Sequence, residues 1–299
     1  MGSLTGRVAV ITGAGGGLGR EYALLFAREG AKVVLNDLRS APAGDSSMRP
    51  VDQLVEEIKS TGGQAMSHLG DISEEVTSSD ILSRSLETFG HVDVLINNAG
   101  NFSEDAIVSS SVDDLDALYR VHLRGQYLMT RTFAEYWQQR SGAGDRVRAS
   151  VVNTTSRSAL NAIEGHGLYG AIKAAIVTLT MVAAKELTPH GVRVNCVAPF
   201  ARTSMTRSVK TLADKMNPPT VDVDGAAFDP FEPANLAPAV GYLATAECPL
   251  SGELLFCHGG LVQRYSSWNP EGYVEKKSMW TIPELAEEVP TIIPAPRAE

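Results

Sequence analysis

Residues 8–19 read Val8-Ala9-Val10-Ile11-Thr12-Gly13-Ala14-Gly15-Gly16-Gly17-Leu18-Gly19. A short apolar run, Val8 to Ile11, passes into glycines, and helix-period sequence begins near Leu18. Glycine permits positive φ and carries no side chain to hold a diphosphate away, while a helix N-terminus presents free N–H groups and a positive dipole end. An anion is therefore expected at this turn. The spacing is Gly13-x-x-x-Gly17-x-Gly19, because Leu18 stands where the third glycine of a Gly-x-Gly-x-x-Gly motif would be. Taken alone, the stretch reads equally well as a tight strand-to-helix turn.

Working outward, short apolar runs alternate with helix-period segments. Val8 to Ile11, Lys32 to Leu35, Val94 to Ile96, Ser150 to Asn153 and Arg193 to Val197 read as strands. Gly19 to Arg28, Val51 to Lys59, Ile81 to Phe89, Val112 to Arg140 and Leu168 to Thr188 read as helices. The runs are apolar on both faces, as in a parallel sheet covered by helices, and right-handed crossovers make it doubly wound. One α/β domain is expected over 1–262. Ser40 to Pro50 reads as a surface loop, Phe200 to Pro233 as a partly apolar lid, and 263–299 as an extension that packs on the domain or on a partner subunit.

The second strand ends in Asp37, about 20 residues past the glycines, where the adenosine ribose of a dinucleotide would lie. A carboxylate can accept both ribose hydroxyls. A 2′-phosphate would meet a like charge at a cost of several kcal/mol, which favours NAD over NADP. Arg20 and Arg39 are nearby cations that weaken this inference. A solvated turn residue is the alternative for Asp37 alone.

Tyr169 and Lys173 stand four residues apart on one helix, hence on one face. A phenol has a reference pKa of about 10, and lowering it by ~2–3 units takes roughly 3–4 kcal/mol. One ammonium at ~4 Å and an effective dielectric of 20 supplies about 4 kcal/mol. Such a pair is common on exposed helices, so its weight comes from Ser156, thirteen residues earlier and just past a strand. The carboxyl edge of an open sheet is where ligands bind. There a serine hydroxyl can hold a substrate oxygen while Tyr169 exchanges its proton. Thr154, Thr155 and Ser158 are alternative hydroxyls on chemistry alone.

Composition excludes other classes. A formal charge of −9 disfavours binding to nucleic acid. Cys196, Cys248 and Cys257 form no CxxC pair, which points to neither disulfides nor zinc and to a reducing, cytoplasmic setting. The N-terminal residues lack a signal-like pattern, and no run approaches the ~18 apolar residues of a membrane span. His68, His91, His166, His190 and His258 show no paired ligand spacing, and hydride transfer here needs no metal.

These ordered elements resemble the short-chain dehydrogenase/reductase family, from about Thr5 to Gly260. The matching residues are Gly13, Gly17 and Gly19; Asp71 before Ile72; Asn97-Asn98-Ala99-Gly100; Ser156, Tyr169 and Lys173; and Pro199 with Thr203. The resemblance implies a single-domain Rossmann-type sheet of seven strands with helices on both faces, and assembly into dimers or tetramers. It implies nicotinamide binding by Gly13, Gly17, Leu18, Gly19, Asp37, Asp71, Ile72, Asn98, Ala99, Gly100, Tyr169, Lys173, Pro199 and Thr203. It makes Ser156, Tyr169 and Lys173 catalytic. Two residues depart from the family: His122 stands where Asn is usual and Phe200 where Gly is usual. His122 is a fourth catalytic candidate: it keeps the family's relay water with its carbonyl, replaces that water with its imidazole, or fills space inside a helix.

Within the family, Val33 to Leu38 and Val121 to Gly125 are similar to the dehydrogenase portion of the peroxisomal multifunctional enzymes. That similarity implies a 3-hydroxyacyl-CoA or 17-hydroxysteroid substrate, with Arg157, Arg202, Arg207 and Lys210 available to CoA phosphates. The alternatives are a small alcohol, sugar or quinone as substrate, epimerase or dehydratase chemistry, and a catalytically silent NAD-binding regulator.

Overall fold

The computed structural model describes residues 2–38, 48–207, 216, 221–223, 226–266 and 272–292. Most of the loop expected at Ser40 to Pro50 and much of the lid expected at Phe200 to Pro233, Lys210 included, lie outside the described residues. The chain divides into units Met1–Tyr265 and Ser266–Glu299.

In the first unit the strands are β1 (Val8–Thr12), β2 (Lys32–Asp37), β3 (Gln64–Leu69), β4 (Val94–Asn97), β5 (Ala149–Thr154) and β6 (Val192–Pro199). They are followed by the pair β7 (Val221–Val223) and β8 (Ala226–Phe228), then β9 (Leu254–His258) and β10 (Leu261–Tyr265). Eight of them form one sheet in the order β10-β9-β6-β5-β4-β1-β2-β3, while β7 and β8 make a separate hairpin. The seven strands from β3 to β9 in that order pair in parallel, as expected. The eighth, β10, adds antiparallel to β9 at the edge.

The helices of this unit are α1 (Gly17–Arg28), α2 (Pro50–Ser60), α3 (Glu75–Phe89), α4 (Val112–Leu118), α5 (Gln126–Gly142), α6 (Gly167–Leu187), α7 (Ser204–Arg207) and α8 (Ala237–Ala244). Strand alternation distributes β1 between two cores. Ala9 and Ile11 join Tyr22, Phe26, Leu54, Ile58 and Leu243 on one face of the sheet. Val8 and Val10 join Ile81, Met129, Phe133 and Trp137 on the other. A strand buried on both faces must be apolar throughout, which is why these runs show no polar alternation.

The helix expected over 112–140 is not continuous. The Ser111–Asp114 capping box starts α4, and a π-helical stretch, Tyr119–Gly125, separates it from α5. That wider turn carries His122 inward, to 1% exposure. Residues 167–190 correct the expectation about membrane spans, because they are long and apolar enough to cross one by length and composition. The apolarity has a local cause: Ile172, Ile176, Val177, Ala183, Ala184 and Leu187 of α6 are buried in this domain.

Chain order reverses between β1 and β4, since β1, β2 and β3 run to one edge before β4 begins the other half. The carboxyl ends of β1 and β4 therefore open a crevice. In the second unit, the helix α9 (Ile282–Glu288) begins at a Thr281–Glu284 capping box.

Candidate active site

The glycine turn lies in this crevice, and each glycine has a separate cause. Gly13 (φ +65°) lies where an added Cβ would come 2.7 Å from Ala99 Cα. Gly17 is left-handed at φ +54°. Gly19 is required by close approach: its Cβ would stand 2.3 Å from the Gly13 carbonyl oxygen. The first turn of α1 has no acidic residue and no side-chain cap. Such a cradle fits a dinucleotide diphosphate, with backbone N–H groups as its donors.

Asn98 holds the turn. Its Nδ2 donates to the carbonyls of Thr12 at 3.0 Å and Gly13 at 3.2 Å, while Thr12 Oγ1 accepts the N–H groups of Asn98 and Ala99. Leu18 packs against the core. Asp37 is 5% exposed, and its Oδ2 accepts the Gly15 N–H at 2.8 Å, so this carboxylate and the glycine turn are locked together. Asp71 accepts the N–H of Ser73 at 2.9 Å. Ile72 is buried, and Gly125 leaves room for it. Pro199 ends β6, and Thr203 lies beside Gly17, where an added Cβ would stand 3.6 Å from it; both line a cavity of about 220 Å³ that Glu21 and Arg207 also line.

The candidate proton-handling residues gather at the end of β5. Ser156 follows that strand, and its hydroxyl donates to Ser158 Oγ at 3.3 Å and accepts the Ser158 backbone N–H at 3.2 Å. Lys173 Nζ donates to the Thr154 carbonyl at 2.8 Å and stands 5.5 Å from the Tyr169 ring centre. Thr155 Oγ1 donates to the Lys173 carbonyl at 2.7 Å, tying α6 to β5. The sequence thus brings together the three side chains it singled out.

Their electrostatics differ from the sequence expectation. Burial pushes the Tyr169 phenol up to about 12, a rise moderated by the neighbouring Ser156 hydroxyl, rather than down under Lys173. Burial also pushes Lys173 down to about 7. The ammonium points at a backbone carbonyl, so desolvation of both groups outweighs their mutual effect. In this arrangement Tyr169 is a neutral proton donor near pH 7, suited to protonating a ketone oxygen.

His122 packs its ring edge-to-face on Tyr169, with centres 5.5 Å apart, and lies against Gly100, where any Cβ would meet its Cε1 at 2.4 Å. Nε2 lies 2.7 Å from the Asn101 carbonyl, and Nδ1 is buried without a partner. Burial, then the Lys173 charge, hold its pKa well below the ordinary value, so the ring is neutral. Gln126 Oε1 and Thr154 Oγ1 are likewise buried without partners, and Gln126 Nε2 donates to the Thr154 carbonyl that Lys173 also reaches.

Sequence reasoning missed Phe102, whose ring stands edge-on to Tyr169 at 4.9 Å, and His166, buried between Ser158 and Glu104. It also offered Arg202 to CoA phosphates, whereas Arg202 pairs with Asp229 and donates to the Met216 carbonyl at 2.7 Å.

The short chain dehydrogenase family model matches residues 7–214. The chain belongs to this family. It is 36% identical over 284 residues to hydroxyacyl-CoA dehydrogenase ChsB1 of Mycobacterium tuberculosis, covering 89% of this chain and 86% of that protein. It is 32% identical to peroxisomal multifunctional enzyme type 2 of Drosophila melanogaster over 92% of this chain, which spans 42% of that longer protein. Among solved structures, 3-ketoacyl-(acyl-carrier-protein) reductase from Brucella melitensis, complexed with NADH, superposes with a TM-score of 0.72 at 29% identity. The match covers 86% of this chain and 98% of that one. This dehydrogenase is thus a nicotinamide-using oxidoreductase acting on hydroxyl or keto groups, close to the hydroxyacyl-CoA dehydrogenases and multifunctional enzymes.

Proposed function

We propose that this dehydrogenase uses NAD to interconvert a 3-hydroxyacyl-CoA and its 3-oxo form. The observation that carries the reading is the convergence of Ser156, Tyr169 and Lys173 at the carboxyl end of β5, two strands along the sheet from the glycine turn. The nicotinamide, when bound, accepts or supplies the hydride. In reduction, Ser156 holds the substrate oxygen and Tyr169 gives it a proton as the carbon receives the hydride; oxidation returns both. Lys173 anchors the Tyr169 face of α6 and restores its proton. His122 supports this set as a neutral ring packed edge-to-face on Tyr169.

Gly13, Gly17, Gly19 and the backbone from Asn98 to Gly100 line the diphosphate and nicotinamide side, with Leu18, Pro199 and Thr203. Asp71 and Ile72 would hold the adenine. Asp37 favours NAD, since its buried carboxylate would oppose a 2′-phosphate. The acyl-CoA assignment draws on the name of the Mycobacterium tuberculosis relative. Association of copies is supported by Val112, Leu115, Tyr119, Tyr127 and Val182, large exposed apolar residues on and between α4, α5 and α6. Three free buried thiols support a reducing cytoplasmic setting.

The test is purified protein with NAD and a panel of (3R)- and (3S)-hydroxyacyl-CoAs, 17-hydroxysteroids and small sugars, followed by NADH absorbance. The reading expects turnover of a hydroxyacyl-CoA. Turnover of a sugar alone would overturn it.

A further inference from the structure

His166 is the residue immediately before α6 and lies three positions ahead of Tyr169. Its ring is 8% exposed, packed edge-on against Phe102 at 5.2 Å and Tyr169 at 6.3 Å between centres. Nδ1 is 2.8 Å from Ser158 Oγ, and Ser158 Oγ is 3.3 Å from Ser156 Oγ. On the other side, Nε2 lies 3.7 Å from Glu104 Oε1. A continuous row therefore runs from the partly exposed Glu104 through His166 and Ser158 to the hydroxyl that meets the substrate oxygen.

We propose that His166 sets the direction in which Ser156 points its proton, acting through Ser158. This rests on the reading of Ser156 as the group that holds the substrate oxygen.

The argument follows from proton counting. A serine hydroxyl has one proton and two lone pairs, and a neutral imidazole has one donor nitrogen and one acceptor. Glu104 favours a proton on Nε2, so the neutral ring offers the Nδ1 lone pair to Ser158. Ser158 then spends its proton on His166 and accepts from Ser156, drawing the Ser156 proton away from Tyr169 and the substrate. When His166 is protonated, Nδ1–H donates to Ser158. The Ser158 proton turns to Ser156 Oγ, which already accepts the Ser158 backbone N–H at 3.2 Å. Both lone pairs of Ser156 are then taken, and its only remaining capacity is to donate to the substrate oxygen. Protonated His166 is thus the productive form.

The charged groups around the ring are few. Glu104 is the carboxylate within ion-pair range among the described residues. Asp105 joins the turn through its backbone N–H to Gly165, Glu164 is exposed, and Tyr169 stays neutral because burial raises its phenol. Lys173, which burial holds at about 7, donates to the Thr154 carbonyl. Its contribution cancels in a ratio between variants that share it.

The test compares wild type, His166→Gln and Ser158→Ala in the reduction of acetoacetyl-CoA by NADH from pH 5.5 to 9. Glutamine presents an amide donor that does not titrate. The expected result is a wild-type to His166→Gln ratio of kcat/KM that falls roughly two- to tenfold between the acid and the alkaline end of that series, the scale of one redirected hydrogen bond. Ser158→Ala keeps His166 but breaks the link, so its ratio to His166→Gln should be flat. A constant wild-type ratio, or an ionisation that persists in Ser158→Ala, overturns the proposal. Nitrogen NMR of the His166 ring needs no substrate and separates this proposal from the acyl-CoA assignment. The neutral ring should carry its proton on Nε2, and a neutral ring protonated on Nδ1 would overturn the proposal even if acetoacetyl-CoA were turned over.

Discussion

Replacing Lys173 by Met should change how stability depends on pH. Lys173 is buried at 2% exposure, and its ammonium is held at about 7 instead of the usual 10.5. The unfolded chain binds that proton more tightly than the folded one between those values, so stability rises with pH across the window. The gain is complete above the unfolded value and is lost as pH falls through about 7. Between pH 7 and pH 9 the folded lysine passes from half to almost fully deprotonated, while the unfolded lysine stays charged. Integrating one pKa unit as 1.36 kcal/mol gives about 2 kcal/mol over that interval. Tyr169 and the buried Cys196 and Cys257, which burial shifts upward, are common to both proteins and cancel in the difference. Urea unfolding at pH 7, 8 and 9 is the assay. With a slope of ~2 kcal/mol per M, the midpoint of wild type minus Lys173→Met should rise by about 1 M. Parallel pH dependences would refute the view that desolvation governs this lysine.

Two further perturbations reach the cofactor side. Gly19→Ala places a Cβ 2.3 Å from the Gly13 carbonyl and 2.6 Å from Asn98 Nδ2, both parts of the scaffold, so the turn must shift. NAD affinity by calorimetry should fall by at least about tenfold, with a stability loss of roughly 1–3 kcal/mol. On the proposed reading Asp37→Ala removes the carboxylate that would oppose a 2′-phosphate, and the NADP to NAD ratio of kcat/KM should rise at least about tenfold in steady-state assays. It also frees the Gly15 N–H, so NAD affinity itself should fall.

The parallel sheet was legible where burial on both faces made strands uniformly apolar, as in β1, β4 and β5. At the edges the signal weakens. β3, Gln64-Ala65-Met66-Ser67-His68-Leu69, lies at one edge, and its half-exposed pattern gives no apolar run. β10 at the other edge is exposed over most of its length. Hydrophobic periodicity over 112–140 could not announce the π-helical turn, because both helix types keep one apolar side. In the site, the order of Ser156, Tyr169 and Lys173 carried the reading, but their ionisation did not follow from spacing: desolvation depends on what covers them. His166 was passed over because its partners, Ser158 and Glu104, lie at no metal-ligand spacing. Its signal was its place, three residues before Tyr169 at a helix start.

The most direct measurement of the central claim is Tyr169→Phe, which removes one hydroxyl from a ring held by Phe102 and His122. NADH binding by fluorescence and acetoacetyl-CoA reduction should be measured on the same preparation. Binding within about twofold of wild type, with turnover reduced by at least ~10²-fold, is the predicted result. Turnover near the wild-type rate would contradict the assignment of Tyr169 as the acid and base.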